Sequence, residues 1–171
     1  MGITVHFEGK LKGGEAFQSA LSSAIHFCEE HGWPYERIDH QNATLKRVRD
    51  EQDWDYEGPV QGIQIQPHEN SEPIRLEFDR DLYIQDYTKT QFAPVDIHVL
   101  IVELLQRLRP YFAHLEVVDE GEFFETGNLD TLKNHINRCF EVLDEYFVQS
   151  EKYYGPIRLE NKRMVDVMSR D

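Results

Sequence analysis

Residues 119–128, DEGEFFETGN, place four carboxylates in seven positions, wrap them around two phenylalanines and bracket the set with glycines. A carboxyl group set among apolar neighbours has a raised pKa, and that is how a general acid is made. Asp119-Glu120-Gly121 has turn chemistry, two polar residues and then a glycine able to take a positive φ. If this turn closes a hairpin, Val118 faces Glu122, Val117 faces Phe123 and Leu115 faces Glu125. Glu120 and Glu122 then point to solvent, and Glu125 shares a face with Leu115, Val117 and Phe123. That register makes Glu125 a candidate acid. The same residues also suit an edge hairpin whose charges block edge-to-edge pairing, with Glu125 at the rim near the dipole of the next helix.

Three other stretches carry residues of chemical interest. DWDYEG, from Asp53 to Gly58, begins like a calcium loop, with oxygen ligands at alternating positions and a glycine for the bend. Position twelve, where a bidentate glutamate belongs, is Gln64, and the segment lies among strands instead of between helices. A solvated hairpin loop exposing Trp54 and Tyr56 is the better reading, and aromatics between carboxylates can grip a basic partner. DLYIQDYTK puts Tyr83, Gln85, Tyr87 and Lys89 on one strand face, where they either line a ligand groove or pack across strands. His98 shares a helix side with Val102 and Leu105, as a hydrogen-bonded core histidine or a catalyst.

No metal or cofactor signature accompanies them. His26 and His31 do not share a helix face, and no H-E-x-x-H, paired-cysteine, P-loop, G-x-S-x-G or S-x-x-K pattern occurs. The candidates are Trp54, Tyr56, Tyr83 and Tyr87 for binding and Glu125 and His98 for catalysis, with no metal ligand and no cofactor.

The elements that must position these residues follow from periodicity. Ile3, Val5 and Phe7 alternate against Thr4, His6 and Glu8, which predicts a half-buried strand. Phe17, Ala20, Leu21, Ala24, Phe27 and Cys28 repeat by three and four, which predicts a helix from about Glu15 to His31 that stops at Gly32 and Pro34. Strands are expected at Ala43–Arg49, Val60–Gln66, Ile74–Phe78 and Leu82–Thr88, with no helix between them, hence an antiparallel meander. Pro94 to about Arg109 reads as a buried helix, Leu115–Val118 as a short strand, and Leu129 to about Val148 as a helix capped by Asn128. Phe17, Leu21, Leu100, Leu104, Leu108, Ile136, Phe140 and Leu143 fall on the apolar stripes and form the expected core. PIRLE occurs at 73–77 and again at 156–160, which reads as two similar strand starts.

The class expected is α+β: an antiparallel sheet of about five or six strands with three main helices, in the order β-α-β-β-β-β-α-β-(β)-α. Residues 1–150 form one domain and 151–171 a C-terminal tail that is partly ordered or docks on it. The order strand, helix, four strands, helix is similar to that of the TATA-binding-protein-like fold. The DNA-binding members of that fold need a basic sheet surface, which this composition opposes.

The chain of 171 residues carries 18 basic against 32 acidic side chains, a formal charge of −14. That field repels nucleic acid and anionic membrane and favours a basic protein partner. Cys28 and Cys139 lie far apart in predicted helices and read as reduced core thiols. No secretory signal or apolar run of membrane-spanning length is visible, so a cytoplasmic location is expected. A non-catalytic binding module for a basic protein is the function these features favour. The alternative is a small-molecule-binding enzyme with a cleft between the sheet and helix 94–109. A concave, polar-lined pocket on the sheet face opposite the helices is the feature that bears most on the choice.

Overall fold

The computed structural model describes residues 2–170. Strand β1 (Thr4–Leu11) obeys its alternation: Val5, Phe7 and Leu11 are buried, and His6, Glu8 and Lys10 are exposed. Helix α1 (Gly14–His31) lays Phe17, Ala20, Ala24, Phe27 and Cys28 into the core and ends in a left-handed Gly32, whose φ is 66°. The Trp33 N–H then reaches back to the Cys28 carbonyl at 2.8 Å, satisfying an otherwise orphaned helix-end acceptor. Helix α2 (Val95–Leu108) is buried along Ile97, Ile101, Leu104, Leu105 and Leu108, in the same apolar cluster as Val5, Phe7, Ile63, Ile65 and Leu76. Its β-branched residues are tolerated because burial on several sides outweighs their weak helix propensity.

The sheet is antiparallel, as the meander predicted, but it divides. The strands β2 (Tyr35–Leu45), β5 (Tyr56–Ile65) and β6 (Ile74–Phe78) form one three-stranded sheet. The strands β7 (Tyr83–Lys89), β1 and β8 (Phe112–Asp119) form the other, with β1 central. β6 and β7 stay linked only at their ends, where Asp79 N–H donates to the Tyr83 carbonyl (3.1 Å) and Glu72 N–H to that of Lys89 (3.0 Å). Close approach of backbones shapes the first sheet: a Cβ on Gly62, whose φ is +155°, would meet the Leu76 carbonyl oxygen at 1.7 Å.

Four expectations need correction. β2 begins at Tyr35, not Ala43, because it is an edge strand whose residues are mostly exposed on both faces and show no alternation. The chain beyond Leu45 is a separate hairpin, β3 (Val48–Arg49) and β4 (Gln52–Asp53), turning on Asp50 and Glu51 with φ of 49° and 62°. The hairpin expected after residue 119 does not form. β8 pairs with β1, and the turn at Asp119–Glu122 leads into a short helix, α3 (Phe123–Thr126). Its cause is local: Asp119 accepts from the N–H groups of Gly121 (2.8 Å), Phe123 (3.0 Å) and Phe124 (2.9 Å), capping a helical turn where a ladder was expected. Finally, Phe140 is 38% exposed, since α4 (Leu129–Gln149) lies at the margin and fully buries only Leu132 and Leu143. Leu21, Leu100 and Ile136 are half-buried, and Phe17, Leu104, Leu108 and Leu143 are in the core as expected.

Beyond α4 the chain folds into a nested hairpin, with β9 (Tyr153–Tyr154) paired to β12 (Met168–Ser169) outside β10 (Ile157–Arg158) paired to β11 (Met164–Val165). Both PIRLE copies open strands, β6 and β10. Cys28 is buried and unpaired, and burial with the nearby Glu29 charge pushes its thiol up to about 11.

His98 is sealed in the interior. Its Nε2 donates to Asp119 Oδ2 (3.0 Å) and its Nδ1 meets the Thr90 hydroxyl (2.7 Å). Burial alone would raise the Asp119 carboxyl. His98 and the N–H groups of Phe124 and Gly121 outweigh it and hold the group below the usual carboxylate range.

Two stability measurements follow. Leu104→Ala should cost about 2–5 kcal/mol in urea unfolding, because the side chain is wholly enclosed. Asp119→Ala should cost about 3–5 kcal/mol at neutral pH by stranding a buried histidine and three N–H donors. A depressed folded pKa contributes stability above the unfolded value of about 3.9 and loses it as pH falls through the folded one. The variant's deficit against the parent should therefore shrink in acid.

Candidate functional site

The strand registers decide which side chains share the sheet face turned away from α1 and α2. On the β7-β1-β8 sheet, His6 lies between Tyr87 and Val118, Glu8 between Gln85 and Glu116, and Lys10 between Tyr83 and His114. This face opens into a groove of about 1130 Å³. Its far wall comes from Arg75 and Glu77 of β6, from Thr44 and Leu45 at the end of β2, and from Lys46, Arg47, Val48, Asp53 and Asp55 in and around the β3–β4 flap, with Asn161 and Arg163 at one end. The polar concavity opposite the helices is thus present.

Two contacts seat the flap. Gln85 clasps the Val48 backbone, accepting from its N–H (2.7 Å) and donating to its carbonyl (2.8 Å). Arg47, almost wholly buried, donates to the Tyr83 carbonyl (3.3 Å), lies 3.6 Å from Asp79 and stacks on the Tyr83 ring at 4.7 Å. Its Nε and Nη1 find no partner among the described residues, and burial lowers its pKa against the pull of Asp79.

The opposite end is an arginine site filled by the chain itself. Arg163 stacks 3.9 Å over the Tyr87 ring and donates to Asp86, to Glu72 Oε2 (3.2 Å) and to the Tyr87 carbonyl (2.6 Å). Glu72 also accepts from the Met164 N–H (2.7 Å), and Lys89 pairs with Asp166 (2.7 Å). Burial raises the Asp86 carboxyl although Arg163 pulls it down, and burial together with the Asp86 charge raises that of Glu77. The two carboxyls face the gap between β6 and β7, and the charges of Arg163 and Arg75 offset part of the cost of burying them.

Between the two ends, Glu8 and Glu116 form no ion pair among the described residues. Glu8 accepts from the Tyr83 hydroxyl and from Gln85 Nε2 (3.0 Å), both neutral donors. Burial, then the bond to Glu8 and its charge, raise the Tyr83 phenol. Glu116 is the register partner of Glu8, so two like charges sit directly opposite on one face. Such a pair destabilises a sheet.

The sequence candidates divide. Tyr83 and Tyr87 lie on the groove face, Tyr87 as part of its wall. Trp54 is 39% exposed beside the flap, with the Arg49 guanidinium 4.7 Å over its ring. Tyr56 is not in an exposed loop: it is 7% exposed, donates to the Pro59 carbonyl (2.9 Å) and accepts from the Arg80 N–H (3.2 Å). Glu125 is exposed on α3 and has no apolar enclosure. His98 is a buried structural histidine, and α2 is packed into the core, so no cleft joins it to Glu125 and the tyrosines. Among the described residues no three His, Cys, Asp or Glu side chains converge as a metal site, and no helix is long and apolar enough to cross a membrane.

Sequence reasoning passed over Glu8, Glu116, Glu77, Asp86 and Arg163. The outward phase of β1 pointed to Glu8, but the facing of Glu116 needed the β1–β8 register, and nothing local marks Arg163 as a groove residue.

Comparison with protein-family models, curated protein sequences and solved structures returns no match.

Arg163→Ala should destabilise the protein by about 3–5 kcal/mol at neutral pH, because Glu72 and Asp86 lose their common cation in a buried setting. Acids held above their ordinary pKa destabilise a fold as pH rises past the unfolded value, so this deficit too should narrow in acid. Limited proteolysis should cut the variant within 151–162 sooner than the parent.

Proposed function

We propose that the protein is a non-catalytic binding module whose groove receives a basic, extended segment of a partner protein. One observation supports this reading: Glu8 and Glu116, register partners across β1 and β8, face each other in the groove and form no ion pair among the described residues. A bound Lys or Arg would relieve their repulsion. Arg163 is an internal precedent, an arginine held on this face by one aromatic ring and two carboxylates.

The groove, about 1130 Å³ and lined by two sheets and a flap, has room for an extended segment. The same carboxylates oppose a nucleic-acid backbone.

The test is fluorescence anisotropy with a labelled Arg- and Lys-rich peptide, against neutral and acidic peptides of the same length. Saturable binding of the basic peptide should weaken with ionic strength. Glu8→Gln with Glu116→Gln should weaken it at least tenfold, about 1.4 kcal/mol. Equal binding of all three peptides, or indifference to the double substitution, would overturn the proposal.

A further inference from the structure

A second surface, independent of the groove, lies on α4. Its buried line runs through Leu132 and Leu143, yet Leu129 and Phe140 are 40% and 38% exposed, and Ile136 and Phe147 are half-buried. At 3.6 residues per turn these four share one stripe, rotated about 60° from Leu132. The spacings 129, 136, 140 and 147 are seven, four and seven, the seam pattern of a coiled coil. Phe92 supports the stripe from below, its ring 6.0 Å from that of Phe140.

The stripe is its own mirror in sequence. An antiparallel copy related by a two-fold axis at Arg138 sets Leu129 against Phe147 and Ile136 against Phe140, each pairing occurring twice. Lys133 and Asp144, both exposed, flank the same side of the stripe. The two-fold brings Lys133 of one copy beside Asp144 of the other, again twice. An isologous interface requires this self-complementarity of shape and charge.

We infer that α4 is the contact through which two copies of this chain associate, as an antiparallel helix pair. A single helix pair is at the small end of stable interfaces, so the dimer is expected to be weak and concentration-dependent, in the micromolar range.

Sedimentation velocity over a concentration series tests this, with circular dichroism confirming that each variant folds. The parent should shift from monomer to dimer. Lys133→Asp alone and Asp144→Lys alone, both at exposed positions, should each weaken association at least tenfold by placing like charges together. The double exchange, K133D with D144K, should restore it. A parent that stays monomeric at every concentration overturns the inference and leaves the stripe to a different protein. A dimer unaffected by either single variant, or one the double exchange does not restore, overturns the α4 contact or its antiparallel register.

Discussion

One buried carboxylate ties the helical layer to the sheet. Asp119 ends β8, receives His98 from α2 and caps the first turn of α3 through Phe123 and Phe124. Through His98 the network reaches Thr90, whose N–H and hydroxyl both donate to the Ile3 carbonyl at the start of β1. A polar group in this position is tolerated only when every partner is present. Its geometry also fixes the phase of β8. With Asp119 turned inward, Val117 follows it and Glu116 and Val118 must turn out, beside Glu8 and His6. A slip of one residue would exchange those faces and remove the carboxylate pair from the groove.

The division of the sheet has an electrostatic component. Asp86 occupies the inward phase of β7, between the buried Ile84 and Thr88. A carboxylate there resists desolvation, and Glu77 across the gap adds repulsion. Arg163 resolves the conflict from outside, entering from a segment far along the chain. The penalty of burying these charges makes such a triad a poor source of net stability, but removing one member strands the others. The C-terminal hairpin is thereby held against the groove by a charge requirement more than by apolar contact.

The sequence revealed elements better than their partners. β1, α1, β6 and α2 were readable because each buries one face, and burial writes its period into the apolar residues. β2 was half hidden because a strand exposed on both faces has no such period, and Ile38 is its one fully buried member. The β3–β4 turn uses Asp50-Glu51 where Asn-Gly would have announced it. DEGEFFETGN was correctly a turn but pointed to the wrong carboxylate. Glu125 drew attention through a hairpin register that never forms, whereas Asp119, its first residue, is the one enclosed. Nothing within ten residues distinguishes a turn aspartate from a cap whose other partner lies on a helix twenty-one positions upstream.

Net charge misleads in a similar way. A formal −14 suggests a uniformly acidic surface, yet at physiological ionic strength a charge is felt over only about 8 Å. A ligand in the groove would therefore sense the local arrangement. There the cations are mostly committed: Lys46 to Asp55, Arg47 to Asp79, and Arg163 to Asp86 and Glu72. Where β1 meets β8, Glu8 and Glu116 face each other and form no ion pair among the described residues. Composition alone would allow attraction to any basic surface. On the proposed reading, the register of two strands would narrow it to a cation able to reach two carboxylates on adjacent strands, a demand that selects by geometry as much as by charge.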